Sequence, residues 1–206
     1  YTREGKCYYA KLTVRRLDHD ASASGAGVKE TSSEAMGGIQ FGIGGERRLG
    51  LAFGYEDINS KAFSLTQGLG SSEGQRFQGG IVLKDQWGPI NAYLNIAGSY
   101  GEHDNKRFVN LGGFTNALAE QEVMSGLIKL RLSYLRDMGG WYVKPLVDVG
   151  ASYIHLGGYT ETGAGAFNLR VATTEKWLFS VMPGLELGGE MRDGGGTIWR
   201  PYIRAG

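Results

Sequence analysis

The chain has 206 residues, a formal net charge of +1, one cysteine, and 35 glycines against 4 prolines. The near-neutral balance excludes a global basic field that would recruit nucleic acid, and a single cysteine excludes an internal disulfide or a multi-cysteine metal site. No apolar run approaches the ~18 residues of a transmembrane helix, which leaves alternating strands as the only way this sequence could cross a membrane.

In chain order, nine segments alternate apolar and polar residues with a period of two, the signature of half-apolar strands. The first sets Tyr8, Leu12 and Val14 against Tyr9, Lys11, Thr13 and Arg15, with Cys7 in the second set. The second and third set Ile39, Phe41, Leu51 and Phe53 against Gly38, Gln40, Gly50 and Gly54. The fourth and fifth set Phe77, Ile81, Leu83, Leu94 and Ile96 against Gln78, Gly80, Lys84, Asn91 and Asn95. The sixth and seventh set Ile128, Leu130, Val147 and Val149 against Lys129, Arg131, Lys144 and Asp148. The last two set Phe179, Val181, Trp199 and Ile203 against Ser180, Glu186, Arg200 and Arg204.

Long polar stretches at 16–34, 56–74, 101–122 and 155–176 read as loops, with a possible short helix within 115–126. They alternate with tight turns near 44–47, 85–89, 137–140 and 192–196. Short turns at one end and long loops at the other are the asymmetry of outer-membrane barrels. The polar face is rich in Gly, Ala, Ser and Asn, which suits a concave interior better than a solvent-facing surface. The fold expected is therefore an all-β, transmembrane, antiparallel up-and-down barrel with its apolar face toward lipid.

Two aromatic sets flank the strands. Trp87, Tyr134, Trp141 and Trp199 lie by the short turns, and Tyr55, Tyr100, Tyr153 and Trp177 by the long loops. Aromatic girdles of this kind mark the two membrane interfaces of a barrel. The inward parity collects Lys11, Arg15, Lys84, Lys129, Arg131, Lys144, Arg200 and Arg204 against Asp148, Glu186 and Glu190. Either these line a hydrated, basic lumen or they pair across strands.

Chemistry is sparse. His19 between Asp18 and Asp20, and His103 before Asp104, lie in stretches read as exposed loops, and no catalytic set emerges. Three scattered histidines give no metal-ligand spacing,. The glycines of "GIGGERRLG" sit in a turn, not in a phosphate cradle. Neither an enzyme, a metal nor a cofactor is expected.

Four segments resemble the translocator β-domain of bacterial autotransporters, the type V secretion family: "RRLGLAFGYED" at 47–57, "LNIAGSYGEHDNKRF" at 94–108, "VKPLVDVGASYIHLGGYTETG" at 143–163 and "WRPYIRAG" at 199–206. Pro145, Tyr159 and Glu161 hold the third segment's Pro and its Gly-aromatic-x-Glu turn. The resemblance implies a twelve-stranded, monomeric barrel in the bacterial outer membrane. Its partners would be outer-membrane lipid, its own passenger or linker segment in the pore, and the barrel-assembly machinery, with no nucleic acid. The chain departs from that pattern in its nine strands, in ending at Gly206 without a terminal aromatic, and in lacking an upstream linker helix. Residues 1–206 are thus expected to be one barrel domain, incomplete at both ends. The function implied is anchoring and export of an upstream passenger to the cell surface. Another outer-membrane barrel, a small porin or an adhesin, is the alternative, and a soluble barrel around an apolar ligand a third.

Overall fold

The computed structural model describes residues 6–23, 25–64, 68–110 and 114–206. Nine strands follow one another as neighbours in one antiparallel sheet. They are β1 (Cys7–His19), β2 (Gly27–Gly44), β3 (Arg47–Phe63), β4 (Gly68–Trp87), β5 (Ile90–Asn110), β6 (Phe114–Tyr134), β7 (Trp141–Leu156), β8 (Thr174–Gly189) and β9 (Tyr202–Ala205). A short strand, Arg136–Asp137, also pairs with β7. Among the described residues, β1 pairs only with β2 and β9 only with β8.

The short turns fall where the sequence places them. Gly45, Gly88, Gly139 and Gly140 take positive φ at the tight reversals, where a Cβ would be strained,. The Asp137 carboxylate accepts the Gly139 N–H at 2.8 Å, closing its turn. Asp193 accepts the backbone N–H groups of Gly195 and Thr197, both at 2.9 Å, and these donors hold its carboxyl below the usual range.

The long loops are corrected. Most of 16–34, 56–74 and 101–122 is strand, and the segment read as a possible helix at 115–126 lies inside the twenty-one-residue β6. These stretches are mostly polar, with the few apolar residues not alternating, so the pattern that announces a strand stops while the backbone ladder continues. Hydrogen bonds to the neighbouring strand, not side-chain hydropathy, sustain it. The segment 157–173 stays largely irregular, with a small ladder pairing Tyr159–Thr160 with Arg170–Val171 and a 3₁₀ turn at Gly165–Phe167. The ninth predicted strand is also divided: Ile198–Trp199 pairs with Met191–Arg192, and Tyr202–Ala205 joins the main sheet.

Burial is inverted relative to a water-soluble protein. The buried apolar residues described are Val109, Ala117 and Ala164, whereas Ser32, Glu34, Glu56, Asn91, Ser133, Asp148, Glu161 and Glu186 are all buried. Phe53, Phe77, Ile96, Ile128, Phe179 and Val181 are exposed. Among the described residues no second layer covers most of the sheet, so curvature is what buries one face, and the polar face is the concave one. An exposed apolar band around a polar interior is stable in lipid and costly in water. No helix among the described residues is long and apolar enough to cross a membrane.

Candidate functional site

The concave face carries a ladder of charges set by strand register. At the end near the short turns, β6, β7, β8 and β9 align Arg131 with Asp148, Lys144 with Glu186, and Glu186 with Arg204. Asp148, 5% exposed, accepts hydrogen bonds from Arg131 Nε at 2.5 Å and Nη2 at 2.6 Å, and Lys129 Nζ lies 3.0 Å away. Glu186, equally buried, gathers Arg204, Lys144 Nζ at 3.6 Å and a hydrogen bond from the Tyr142 hydroxyl at 3.0 Å.

Further along, β1 to β4 form a second cluster. Arg15 Nη2 lies 3.5 Å from Glu34, Gln78 Nε2 donates to Glu34 at 2.5 Å, and Arg76 pairs with Glu56. Glu34, Glu56 and Arg76 stand in register across β2, β3 and β4, and Gln78 lies two residues along β4, opposite Gly54. Thr13 Oγ1, Glu34 Oε2 and Arg76 Nε are buried without a hydrogen-bond partner among the described residues. Buried polar atoms of this kind need solvent or an occupant on the concave side.

Of the charged residues singled out from sequence, Arg15, Lys129, Arg131, Lys144, Asp148, Glu186 and Arg204 thus come together in ion pairs. Arg200 pairs with Glu190 at 3.1 Å, outside the main ladder. Lys11 stands opposite Met36, and Lys84 opposite Arg48 and Tyr93. Cys7 opposes Gln40 and is exposed. Pairing across strands therefore accounts for most of these cations. Sequence reasoning missed Glu34 and Glu56 because they lie at the ends of the stretches read as loops, and Arg76 because it falls just before the fourth predicted strand. The signal was the unbroken parity from Gly38 back through Met36 to Glu34 and Ser32.

Small residues shape the wall between these clusters. Ala52, Gly80 and Ala97 are register partners across β3, β4 and β5. A Cβ on Gly80 would lie 3.3 Å from the Ala97 Cβ. Elsewhere a glycine lies beneath an aromatic ring: a Cβ on Gly188 would meet the Tyr142 ring at 2.6 Å, and one on Gly74 the His103 ring at 2.2 Å. Burial and the nearby Arg76 lower the His103 pKa.

On the exposed face the aromatics form two rows. Tyr55, Phe77 and Tyr100 are register partners, with the Tyr55 and Phe77 rings 5.2 Å apart, and Tyr153 meets Trp177 at 4.8 Å. At the other end Trp87, Ile90 and Tyr134 are in register and Trp141 faces Gly189, whereas Trp199 faces Met191 in a two-stranded ladder separate from the main sheet. Ten residues separate Phe77 from Trp87. At ~3.3 Å per residue and a ~45° tilt the rows stand roughly 23 Å apart, close to the ~25 Å apolar band of an outer membrane.

At the long-loop end, 157–173 folds back over the concave face. Arg107 donates from Nε and Nη2 to Glu161 at 2.9 and 2.5 Å and from Nη2 to the Phe167 carbonyl at 2.9 Å. Glu161 also accepts the Leu169 N–H at 2.7 Å, and Ala164 packs with Val109 and Ala117. Among the described residues no group of three His, Cys, Asp or Glu side chains could hold a metal ion.

The fold is that of known translocators. The translocator domain of NalP from Neisseria meningitidis superposes with a TM-score of 0.64 at 13% identity, over 91% of this chain and 62% of that one. The β domain of the Bordetella autotransporter BrkA superposes with a TM-score of 0.59 at 17% identity, over 98% of this chain and 78% of that one. The chain thus spans less than two thirds of the Neisseria domain. No curated protein matches it in sequence. Residues 9–206 match the family described as "Autotransporter beta-domain". With that match over almost its whole length, the chain belongs to the autotransporter β-domain family.

Proposed function

We propose that this chain is the wall of an outer-membrane translocator, anchored by its apolar face and passing an upstream passenger through the space bounded by its polar face. The observation that carries this reading is the inverted burial, with Glu34, Glu56, Asp148 and Glu186 inside and Phe53, Ile96, Ile128 and Phe179 outside. The two aromatic rows act as the membrane interfaces. Lys11, Arg15, Lys84, Lys129, Arg131, Lys144, Asp148, Glu186, Arg200 and Arg204 line the lumen. Because most of these charges are paired, the wall offers a polypeptide polar contacts and little net field. The polar atoms of Thr13, Glu34 and Arg76 that make no hydrogen bond among the described residues are contact points for a linker or passenger segment. The work is mechanical, and the barrel acts as a monomer inserted by the barrel-assembly machinery.

The test is an epitope tag placed upstream of residue 1 in the protein as the cell makes it, followed by protease shaving of intact cells. Loss of the tag while the barrel remains in the outer-membrane fraction supports export. A protected tag on a membrane-embedded barrel overturns export and favours a porin or an adhesin.

A further inference from the structure

We infer that the outward face beyond the Tyr55–Phe77–Tyr100 row docks the anionic sugar headgroup of a membrane glycolipid, through Lys29, Lys61 and Lys106. The inference rests on the proposed membrane orientation, with the aromatic row at the outer interface.

Strand register sets the three lysines in one row across β2 to β5, parallel to the aromatic row. Lys29 is the Cα partner of Lys61, Lys61 of Ser71, and Ser71 of Lys106. Lys61 and Lys106 each lie six residues beyond their row aromatic, Tyr55 and Tyr100. An even spacing keeps them on the same outward face. All three are exposed, and among the described residues no ion pair includes any of them.

Lys29 and Lys61 stand directly opposite each other, an arrangement that repulsion disfavours and that an anion between them relieves. The neighbouring carboxylates do not supply that anion. Asp18, opposite Lys29, is held by Arg16 at 2.8 Å, and Glu73 and Asp104 sit two residues nearer the aromatic row. Lys29 Nζ lies 5.5 Å from the Phe63 ring centroid and Lys106 Nζ 5.5 Å from that of Phe108, so aromatic faces back two of the ammonium groups,.

Height selects the ligand. Six residues at ~3.3 Å and a ~45° tilt put Lys61 and Lys106 roughly 14 Å beyond the row aromatic of their own strands. A phospholipid headgroup layer is only about 5–7 Å thick on each side of the hydrocarbon. A simple phospholipid phosphate falls short, whereas a phosphorylated or carboxylated sugar headgroup reaches.

The experiment purifies the protein as it occurs in the outer membrane and reconstitutes it into three vesicle types: neutral phospholipid, phospholipid with phosphatidylglycerol, and phospholipid with lipopolysaccharide. The readout is the temperature midpoint of barrel unfolding. A ligand bound only by the folded state raises that midpoint. Lipopolysaccharide is expected to raise it, and phosphatidylglycerol to leave it near the neutral value. The Lys29→Gln, Lys61→Gln, Lys106→Gln triple variant is expected to lose the rise, and the matching Lys→Arg triple to keep it. An equal rise in the Gln triple, an equal rise with phosphatidylglycerol, or none with lipopolysaccharide overturns the proposal while leaving the translocator reading intact. Failure of the wild-type protein to insert into neutral vesicles overturns both.

Discussion

Asp148 on β7 accepts two hydrogen bonds from Arg131 on β6, at 2.5 and 2.6 Å, on a face where it is nearly inaccessible. The pair is possible because the register places the two Cα atoms directly opposite.

Removing one partner leaves charge stranded in a confined space. Asp148→Asn deprives both Arg131 and Lys129 of their carboxylate. Breaking a buried pair from one side costs about 3–5 kcal/mol, and water at the open concave face reduces this to roughly 2–3 kcal/mol. Urea unfolding of the reconstituted barrel is expected to show that loss. The Arg131→Met, Asp148→Leu double variant is expected to recover part of it, since apolar replacement of both partners removes the desolvation cost.

A charge on the convex face tests the lipid-facing assignment. Ile96 and Ile128 are register partners, both exposed, and Ile96 lies between the two aromatic rows. Ile96→Arg is expected to destabilise the inserted barrel by about 2–4 kcal/mol. Asn95→Arg, one residue along on the polar face, is expected to cost far less. Equal effects at the two positions contradict the assignment of faces.

The 157–173 segment depends on Glu161. Its hydrogen bonds with Arg107 hold the carboxyl below the usual range, so its stabilising effect is full above the unfolded pKa and fades as pH falls through the lower folded value,. Hydrogen exchange of 157–169 is expected to be slow at neutral pH and to quicken, after correction for intrinsic rates, on acidification below the ordinary glutamate range. Glu161→Gln is expected to speed exchange at neutral pH by an opening-energy loss of about 1–3 kcal/mol and to flatten the pH response.

Gly188 tests the ring-over-glycine packing. An alanine Cβ there would come within 2.6 Å of the Tyr142 ring, whose hydroxyl serves Glu186. Gly188→Ala is expected to cost about 1–3 kcal/mol through overpacking. Tyr142→Phe, which keeps the ring and loses the hydrogen bond, is expected to cost about 1 kcal/mol. Urea midpoints of both variants against wild type check the ranking.

Local alternation determined much of this protein. The nine apolar-polar segments, the glycine-bearing turns and the aromatic ends follow from side-chain period and backbone permissiveness, both properties of adjacent residues. The parity that puts Lys144 and Asp148 opposite Val143 and Val147 is likewise written in the sequence, because successive side chains on a strand must alternate.

Tertiary structure decided how far the strands run and which charges meet. The stretches 56–63, 68–74, 101–110 and 114–122 scatter a few apolar residues over both faces without a sustained alternation, so their hydropathy announces no strand, and their ladder hydrogen bonds belong to residues distant in the chain. Register is likewise non-local. Lys144 could pair with Asp148 by sequence proximity, yet it approaches Glu186 on the next strand, while Asp148 takes Arg131 and Lys129 from the strand before. The fold of 157–173 over the concave face is non-local too, because Glu161 meets Arg107 only once two long strands have paired beside it.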